Sequence, residues 1–193
     1  MSNVLIESQV MTDIASAIRE KNGTENTYLP SEMPQAVKDI EGSEDTGVGS
    51  RQWWLDMCSQ KTNYTSFFQG TDITEAPPID TSKATTLMNI FNGCSKLVTV
   101  HQLDVSKAES LYGNMFYLCS KLVNISFVPG SIKKALTISA CPLLSDESIQ
   151  SIIDGLTDLT GLTSLTVTFH TRVVARLTQE QISQITNKNW SIG

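Results

Sequence analysis

Apolar residues recur at fixed offsets between residues 64 and 126, where two copies of one pattern lie end to end. Each copy places a Phe, a Cys, a Leu and a Val or Ile at the same positions. The equivalent pairs share a single spacing: Phe91 and Phe116, Cys94 and Cys119, Leu97 and Leu122, Val100 and Ile125. A constant period of this size is typical of repeats that bury their apolar faces by stacking on their neighbours. The repeated residues are therefore predicted to line one continuous core.

Polar residues mark the point where each copy must turn. Asp80 and Asp104 are equivalent in the two copies, and each is followed two positions later by Ser-Lys. Their short side chains can bond to nearby backbone amides, which favours turns. A weaker copy comes first, with Phe68 placed before Phe91 at nearly the same spacing. The chain is thus predicted to hold at least three stacked copies.

This pattern resembles a known class of repeats. It reads Asp-x-Ser-Lys-Ala-x-x-Leu and then Phe-x-x-Cys-Ser-Lys-Leu-Val-x-Ile, and it resembles the BspA-like class of bacterial leucine-rich repeats. The resemblance covers roughly residues 64–168 and implies an α+β leucine-rich-repeat solenoid. Such repeats serve as adhesins, surface proteins and binding platforms alike, so the resemblance leaves the function open.

The first 42 residues carry the pattern of two short helices. Ile14 and Ile18 share one face of the first, and Val37 and Ile40 lie on the apolar stripe of the second, which Ser31 is predicted to cap. Isolated helices of this length are marginal in water. We therefore expect these four apolar residues to form an anchor interface with a partner. The simpler alternative is a helical cap over the first repeat.

The two ends of the chain carry a second resemblance. The N-terminal segment reads Ile-Ala-Ser-Ala-Ile-Arg-Glu-Lys-Asn-Gly-Thr-Glu and then Tyr-Leu-Pro-Ser-Glu-Met-Pro-Gln-Ala-Val-Lys-Asp-Ile. It resembles a segment of structural proteins of phages and prophages of Gram-positive bacteria. The C-terminal sequence is similar to the ends of repeat proteins that phages and prophages encode. The similar segments read Ile-Ile-Asp-Gly-Leu-Thr-Asp-Leu-Thr-Gly and Leu-Thr-Gln-Glu-Gln-Ile. The resemblance implies that residues 1–42 bind other virion proteins.

Glycines and acidic residues between the helices and the repeats predict a flexible linker. The domain organisation is then a helical anchor over 1–42, a linker over 43–51 and a leucine-rich-repeat domain over 52–193. Trp53 and Trp54 stand at the start of the repeats. They are expected to shield the open end of the stack, as terminal repeats must. An exposed aromatic binding surface is the alternative.

The period breaks after Ser126, and the remaining residues predict a C-terminal capping repeat. Leu136 to Leu143 alternates like a strand, and residues 165–169 do so again. Ser145 is predicted to cap a helix, and Thr178 with Gln181 forms a capping box for another. The first helix carries apolar residues at helical spacing: Ile149, Ile152, Ile153 and Leu156.

Composition narrows the function classes. The net charge is −6 with 14 basic residues and no basic stripe, which disfavours nucleic-acid binding. No run approaches the ~18 apolar residues of a membrane span, so no membrane partner is expected. The opening residues lack the pattern of a signal peptide. We therefore expect a virion protein that is made in the host cytoplasm.

The motif content predicts a protein that is not an enzyme. Phosphate-loop, dinucleotide, metalloprotease and nucleophile-elbow motifs are missing from the sequence, and no catalytic residue, metal ligand or cofactor is predicted. The four cysteines are widely spaced, without a Cys-x-x-Cys pair. They are expected to be reduced core residues, with metal or disulfide roles as the alternative. His101 is predicted just past a strand end. A catalytic pair of this histidine with a nucleophilic cysteine is left as an open alternative.

The remaining feature is a variable surface. Five repeat positions form the binding hypothesis: Asn89, Asn92, Tyr112, Asn114 and Tyr117. Plain solvated surface is the alternative. The predicted function is a phage virion structural protein of the tail, baseplate, fibre or head decoration, a homo-oligomer within the particle. Its repeats would bind a host cell-surface protein or glycan. A bacterial cell-surface adhesin or a protein-binding module is the rival.

Overall fold

A computed structural model describes residues 51–193 except 110, 112 and 113, and it describes the side chains from Trp54 onward. Several predictions fall outside these described residues. They are the anchor interface of Ile14, Ile18, Val37 and Ile40, the linker up to residue 50, and the proposed contact residue Tyr112.

The described chain has mixed α and β structure with two small parallel sheets. The elements in chain order are α1 Arg51–Cys58, β1 Thr99–Leu103, β2 Asn124–Phe127, β3 Leu136–Ile138, α2 Asp146–Gly155, β4 Leu165–Phe169, α3 Thr171–Val174, α4 Gln179–Asn187 and β5 Trp190–Ile192. Strand β1 pairs with β2, and β3, β4 and β5 form the second sheet in that order. Helix α1 begins one residue before the predicted domain start at 52.

Successive copies of the repeat lie side by side and pair in parallel. Single bridges join Asn63 to Thr86 and Glu75 to Thr99. At the turns, the Gly93 amide donates to the Tyr117 carbonyl oxygen at 2.8 Å. Each copy thus satisfies backbone groups of the next, as stacked repeats require. Membership of the leucine-rich-repeat class stays a prediction.

The apolar residues that recur in each copy, here called the ladder residues, form the core. The rings of Phe68, Phe91 and Phe116 are stacked, with centroids 5.5 and 5.8 Å apart. Beside them, Cys94 Sγ donates to the Phe68 carbonyl at 2.8 Å, and Cys119 Sγ donates to that of Phe91 at 3.1 Å. None of the ladder residues is more than 3% exposed: Phe91, Cys94, Leu97, Val100, Phe116, Cys119, Leu122 and Ile125. The prediction of one continuous core is confirmed.

The turns and the first end of the stack also agree with the sequence. Asp80 Oδ1 accepts from the Ser82 amide at 2.9 Å, and Asp104 Oδ1 accepts from the Ser106 amide at 2.8 Å. Trp54 is buried, with its ring 6.4 Å from that of Phe68. The prediction of a shielding cap is therefore confirmed for Trp54.

The C-terminal unit contains the predicted helices with their caps. Ser145 caps α2 by accepting from the Ser148 amide, and Thr178 forms the capping box of α4 with Gln181. The strand predicted over 136–143 is shorter, because β3 ends at Ile138 and a turn follows. Helix α3, which the sequence pattern did not predict, begins after His170.

Helix α2 ends the first sheet. The Ser148 hydroxyl oxygen accepts from the Ile125 amide at 2.9 Å, and that of Ser151 accepts from the Phe127 amide at 3.0 Å. Ser148 also donates to the Val123 carbonyl at 3.0 Å. Two serines one helical turn apart therefore take the place of a further strand beside β2, and no backbone amide at these two positions stays unpaired.

Candidate functional site

Four of the five predicted contact residues lie together along one side of the stack, here called the turn edge (residues 89–92 and 114–118). Asn89 and Asn92 are half-buried, and Asn92 Nδ2 donates to Asn89 Oδ1 at 3.3 Å. Asn114 and Tyr117 are exposed, Tyr117 at 51%. The turn edge is thus a surface of amides and one tyrosine ring.

A small cavity opens where the turn edge meets the C-terminal unit. Asn114 and Tyr117 line it together with residues 137–140, and its volume is about 130 Å³. The stack is looser here, since Cys141 Sγ lies 3.9 Å from the Phe116 carbonyl oxygen. Ligand sites usually measure about 300–1,000 Å³. The turn edge therefore offers a contact surface rather than a ligand pocket.

Leu118 gives the turn edge an unusual backbone. Its φ is +62°, in the left-handed region, and its side chain is 53% exposed. Gly70 and Gly93 occupy the equivalent positions with φ of +70° and +80°. A leucine in this conformation is strained. The strained residue and Tyr117 place two large exposed side chains next to each other.

A larger groove, lined mainly by residues of polar type, lies on the other side, between β1, β2 and the start of α2. Its volume is about 430 Å³, within the range of ligand sites. The lining of this strand-side groove consists of Val100, His101, Gln102, Asn124, Ile125, Ser126, Ser145, Glu147, Ser148 and Ser151. The sequence pattern does not predict this groove.

A β-bulge shapes one wall of the strand-side groove. The pairing of β1 with β2 shifts register between Val100 and Leu103, and both intervening residues are exposed. His101 therefore lies inside β1, and its predicted place beyond the strand end is wrong. Its Nε2 lies 3.0 Å from Glu75 Oε1. Bulges redirect side chains next to functional sites, and this one turns His101 and Gln102 outward together.

Several polar groups in the groove are free to bind a ligand. The side chains of Gln102, Ser126 and Glu147 make no hydrogen bond or ion pair with other described residues. Asn124 uses only its amide nitrogen, in a long 3.4 Å contact with Thr99 Oγ1. One surface therefore offers four available groups: the Gln102 amide, the Ser126 hydroxyl, the Glu147 carboxylate and the Asn124 carbonyl oxygen.

The cysteines are structural. All four are buried, which confirms the prediction that they are core residues, and none is bridged in the structure. Burial raises the pKa of the Cys94 thiol and raises the pKa of Cys119 to about 12. A nucleophilic cysteine needs a lowered pKa. His101 is paired with Glu75, and His170 Nδ1 accepts from the Arg172 amide, so neither imidazole is bonded to a thiol.

Other classes of site are missing from the part of the chain that the structure describes. No group of three or more His, Cys, Asp or Glu side chains there could hold a metal ion. Over the same residues, no helix is both long and apolar enough to cross a membrane. No protein-family model, curated protein or solved structure matched the chain. Within the described residues, the turn edge and the strand-side groove are the two surfaces considered for a binding function.

Proposed function

We propose that this protein is a non-enzymatic structural component of a phage virion, in the tail, the baseplate, a fibre or the head decoration. Residues 1–42 attach it to other virion proteins. Residues 52–193 form a BspA-like leucine-rich-repeat solenoid with a C-terminal capping repeat, which is displayed outward. The virion setting comes from the resemblance of both ends of the chain to phage-encoded proteins.

The strand-side groove is the observation that carries the display role. Its polar groups lie on a body that buries its own ladder residues and so needs no partner for its core. In a stack of repeats the ladder residues fix the fold, and the outward residues are free to serve binding. Gln102, Asn124 and Glu147 are outward residues of this kind.

The same contacts support a role without catalysis. His101 has a carboxylate partner, yet its ring is not hydrogen-bonded to a hydroxyl or a thiol of the described residues. The Ser151 hydroxyl accepts from the backbone of β2, and the Ser148 hydroxyl is bonded on both sides. A hydrolytic site needs a nucleophile within hydrogen-bond reach of its base, and the groove does not offer that pair.

Mass spectrometry of gradient-purified phage particles tests the proposal. The chain is expected at a fixed ratio to the major capsid protein. A ratio near one would indicate head decoration, and a few to a few tens of copies would indicate a tail, baseplate or fibre component. Absence of the chain from purified particles would contradict the virion assignment.

A bacterial cell-surface adhesin is the second candidate, because the groove could be displayed on a cell surface as well as on a virion. Fractionation of the host cells separates this candidate from the first. If the chain is missing from particles and recovered at the surface of intact cells, the adhesin assignment replaces the virion assignment.

A further inference from the structure

We infer that the strand-side groove binds a neutral saccharide through its hydroxyl groups. The inference rests on the proposed display function and names the class of ligand for it. Two properties of the groove lead to it: the groups that it offers and the groups that it lacks.

The groups that it offers suit hydroxyls. Each sugar hydroxyl donates one hydrogen bond and accepts others at the same oxygen. Gln102 presents both an amide donor and a carbonyl acceptor, Asn124 presents a carbonyl oxygen, and Ser126 can act either way. Glu147 adds a strong acceptor at the start of α2. Four uncommitted groups from three elements thus face one space of about 430 Å³.

The charge of the groove argues against anionic ligands. No lysine or arginine lines it, whereas Glu147 does, and Glu75 lies beside His101. A phosphate or carboxylate ligand is usually held by arginine or lysine through charge-assisted bonds. Here it would face a carboxylate without a cation to compensate for its lost hydration. The groove therefore does not suit an anionic ligand.

The groove also lacks what a protein ligand requires. Binding hot spots are rich in Trp, Tyr and Arg, and none of these lines it. The large exposed apolar side chains among the described residues all lie elsewhere: Met88, Tyr117, Leu118, Leu143, Leu162 and Val174. An added peptide strand would need free amides on β2. Ser148 and Ser151 already accept from those of Ile125 and Phe127.

No Phe, Tyr or Trp side chain lines the groove, and this predicts the strength of binding. A sugar held only by solvent-exposed hydrogen bonds gains little free energy per contact, because each replaces a bond to water. We expect a dissociation constant in the millimolar range for a single site. Many copies on one particle would raise the avidity by about 10²–10⁴ without any new contact. Display of many copies on one particle would therefore compensate for weak binding at each single site.

Titration of the ¹⁵N-labelled full chain tests the inference. The probes are the methyl glycosides of glucose, galactose, mannose and N-acetylglucosamine at millimolar concentrations. At least one is expected to shift the backbone amides of Gln102, Asn124, Ser126 and Glu147 in NMR spectra. The Gln102→Ala and Asn124→Ala variants should bind it about tenfold more weakly. The control Asn92→Ala removes a similar amide from the turn edge and should change nothing.

Three results would overturn the inference: no shift in the groove with any of the four sugars, shifts confined to the turn edge, or tighter binding of a pentalysine peptide in the groove. The titration of the unaltered chain decides the location even if a variant fails to fold. Loss of sugar binding would leave the stoichiometry in particles unchanged. Absence from particles would leave the titration unchanged, so the two proposals fail separately.

Discussion

The regular stack over residues 64–127 and the C-terminal unit over 132–193 are stabilised in different ways. The stack uses one set of contacts again and again, such as the rings of Phe68 and Phe91 and the bond from Cys94 Sγ. The C-terminal unit uses contacts that each occur once. Lys188 Nζ donates to the carbonyls of Ile153 and Leu156 at 2.8 and 2.9 Å. Periodic apolar residues extend a stack, and specific polar bonds end it.

The difference has a consequence for stability. In a stack, each copy is stabilised mainly by its two neighbours, so damage to a central copy weakens both interfaces. In the C-terminal unit, each polar bond fixes the end of one element. Loss of such a bond should loosen that element and leave the ladders intact.

The largest expected effect comes from breaking the stack at its centre. Phe91 is fully buried between Phe68 and Phe116. Phe91→Ala should lower the free energy of unfolding by about 3–5 kcal/mol, since it removes a large buried side chain and leaves a cavity. The measurement is urea unfolding followed by circular dichroism. Tyr117→Ala on the turn edge is the control, with an expected change within about 0.5 kcal/mol. Equal losses in the two variants would show that the ring stack is not central.

Alkaline pH should lower the free energy of unfolding, because the cysteines are buried. The pKa of Cys119 is raised by burial from its ordinary value of 9.0 to about 12, and that of Cys141 is raised in the same direction. The folded state therefore keeps its proton where the unfolded state loses it. The contribution of each thiol to the free energy of unfolding is fully present below pH 9. It falls by about 1.4 kcal/mol per pH unit as the pH rises towards 12. Unfolding by urea at several pH values measures the slope.

A variant provides the control for the alkaline effect. Cys119→Ala removes one titrating thiol. Its free energy of unfolding should therefore fall less steeply with pH above pH 9, by the amount that corresponds to about one bound proton. An unchanged slope in this variant would mean that the thiol of Cys119 ionises as readily in the folded protein as in the unfolded chain.

The C-terminal unit should respond more locally. Lys188→Met removes a charged donor from the last carbonyls of α2 and should cost about 1.5–3 kcal/mol. Hydrogen exchange is expected to rise near Ile153 and Leu156 while the amides of the ladder residues stay protected. Lys133→Met is the control, because Lys133 is exposed and has no hydrogen bond to other described residues. A uniform rise in exchange across both regions would contradict the local effect.

A substitution at the turn edge should have the smallest effect on stability. Leu118→Gly should raise stability by about 0.5–1 kcal/mol, because it removes the strain of a left-handed leucine and costs some chain entropy. Gly93, one copy earlier, already has this conformation. Thermal unfolding measures the gain, with Tyr117→Gly as a destabilising control. A loss in both variants would show that the Leu118 side chain makes stabilising contacts.

Much of the fold could be predicted because it depends on local patterns. Phe91 and Phe116 are equivalent in the sequence, and the rings stack in the structure. The caps at Ser145 and Thr178 are short-range signals and were found. The turn at Asp80 is of the same kind. In each case the residues that decide the structure lie within one helical turn or recur at the spacing of the repeat.

The groove could not be predicted because it depends on bonds between side chains and backbone that the repeat pattern does not contain. Ser148 and Ser151 end the first sheet by bonding to amides of β2, about one repeat earlier in the chain. The sequence signal for this contact was the presence of two serines among the isoleucines that α2 buries. The bulge also left a trace, since His101 and Gln102 interrupt the alternation of β1 with two polar residues in a row. Neither the serines of α2 nor the two polar residues of β1 show from the sequence alone which residues they contact.

The proposed function requires that residues 52–193 are displayed on the outside of a virion. Immunogold electron microscopy with antibodies against the full chain tests it most directly, on intact and on disrupted particles. We expect intact particles to be labelled at one fixed position of the head or the tail. If only disrupted particles are labelled, or if neither preparation is, the display of the strand-side groove to a host surface is contradicted.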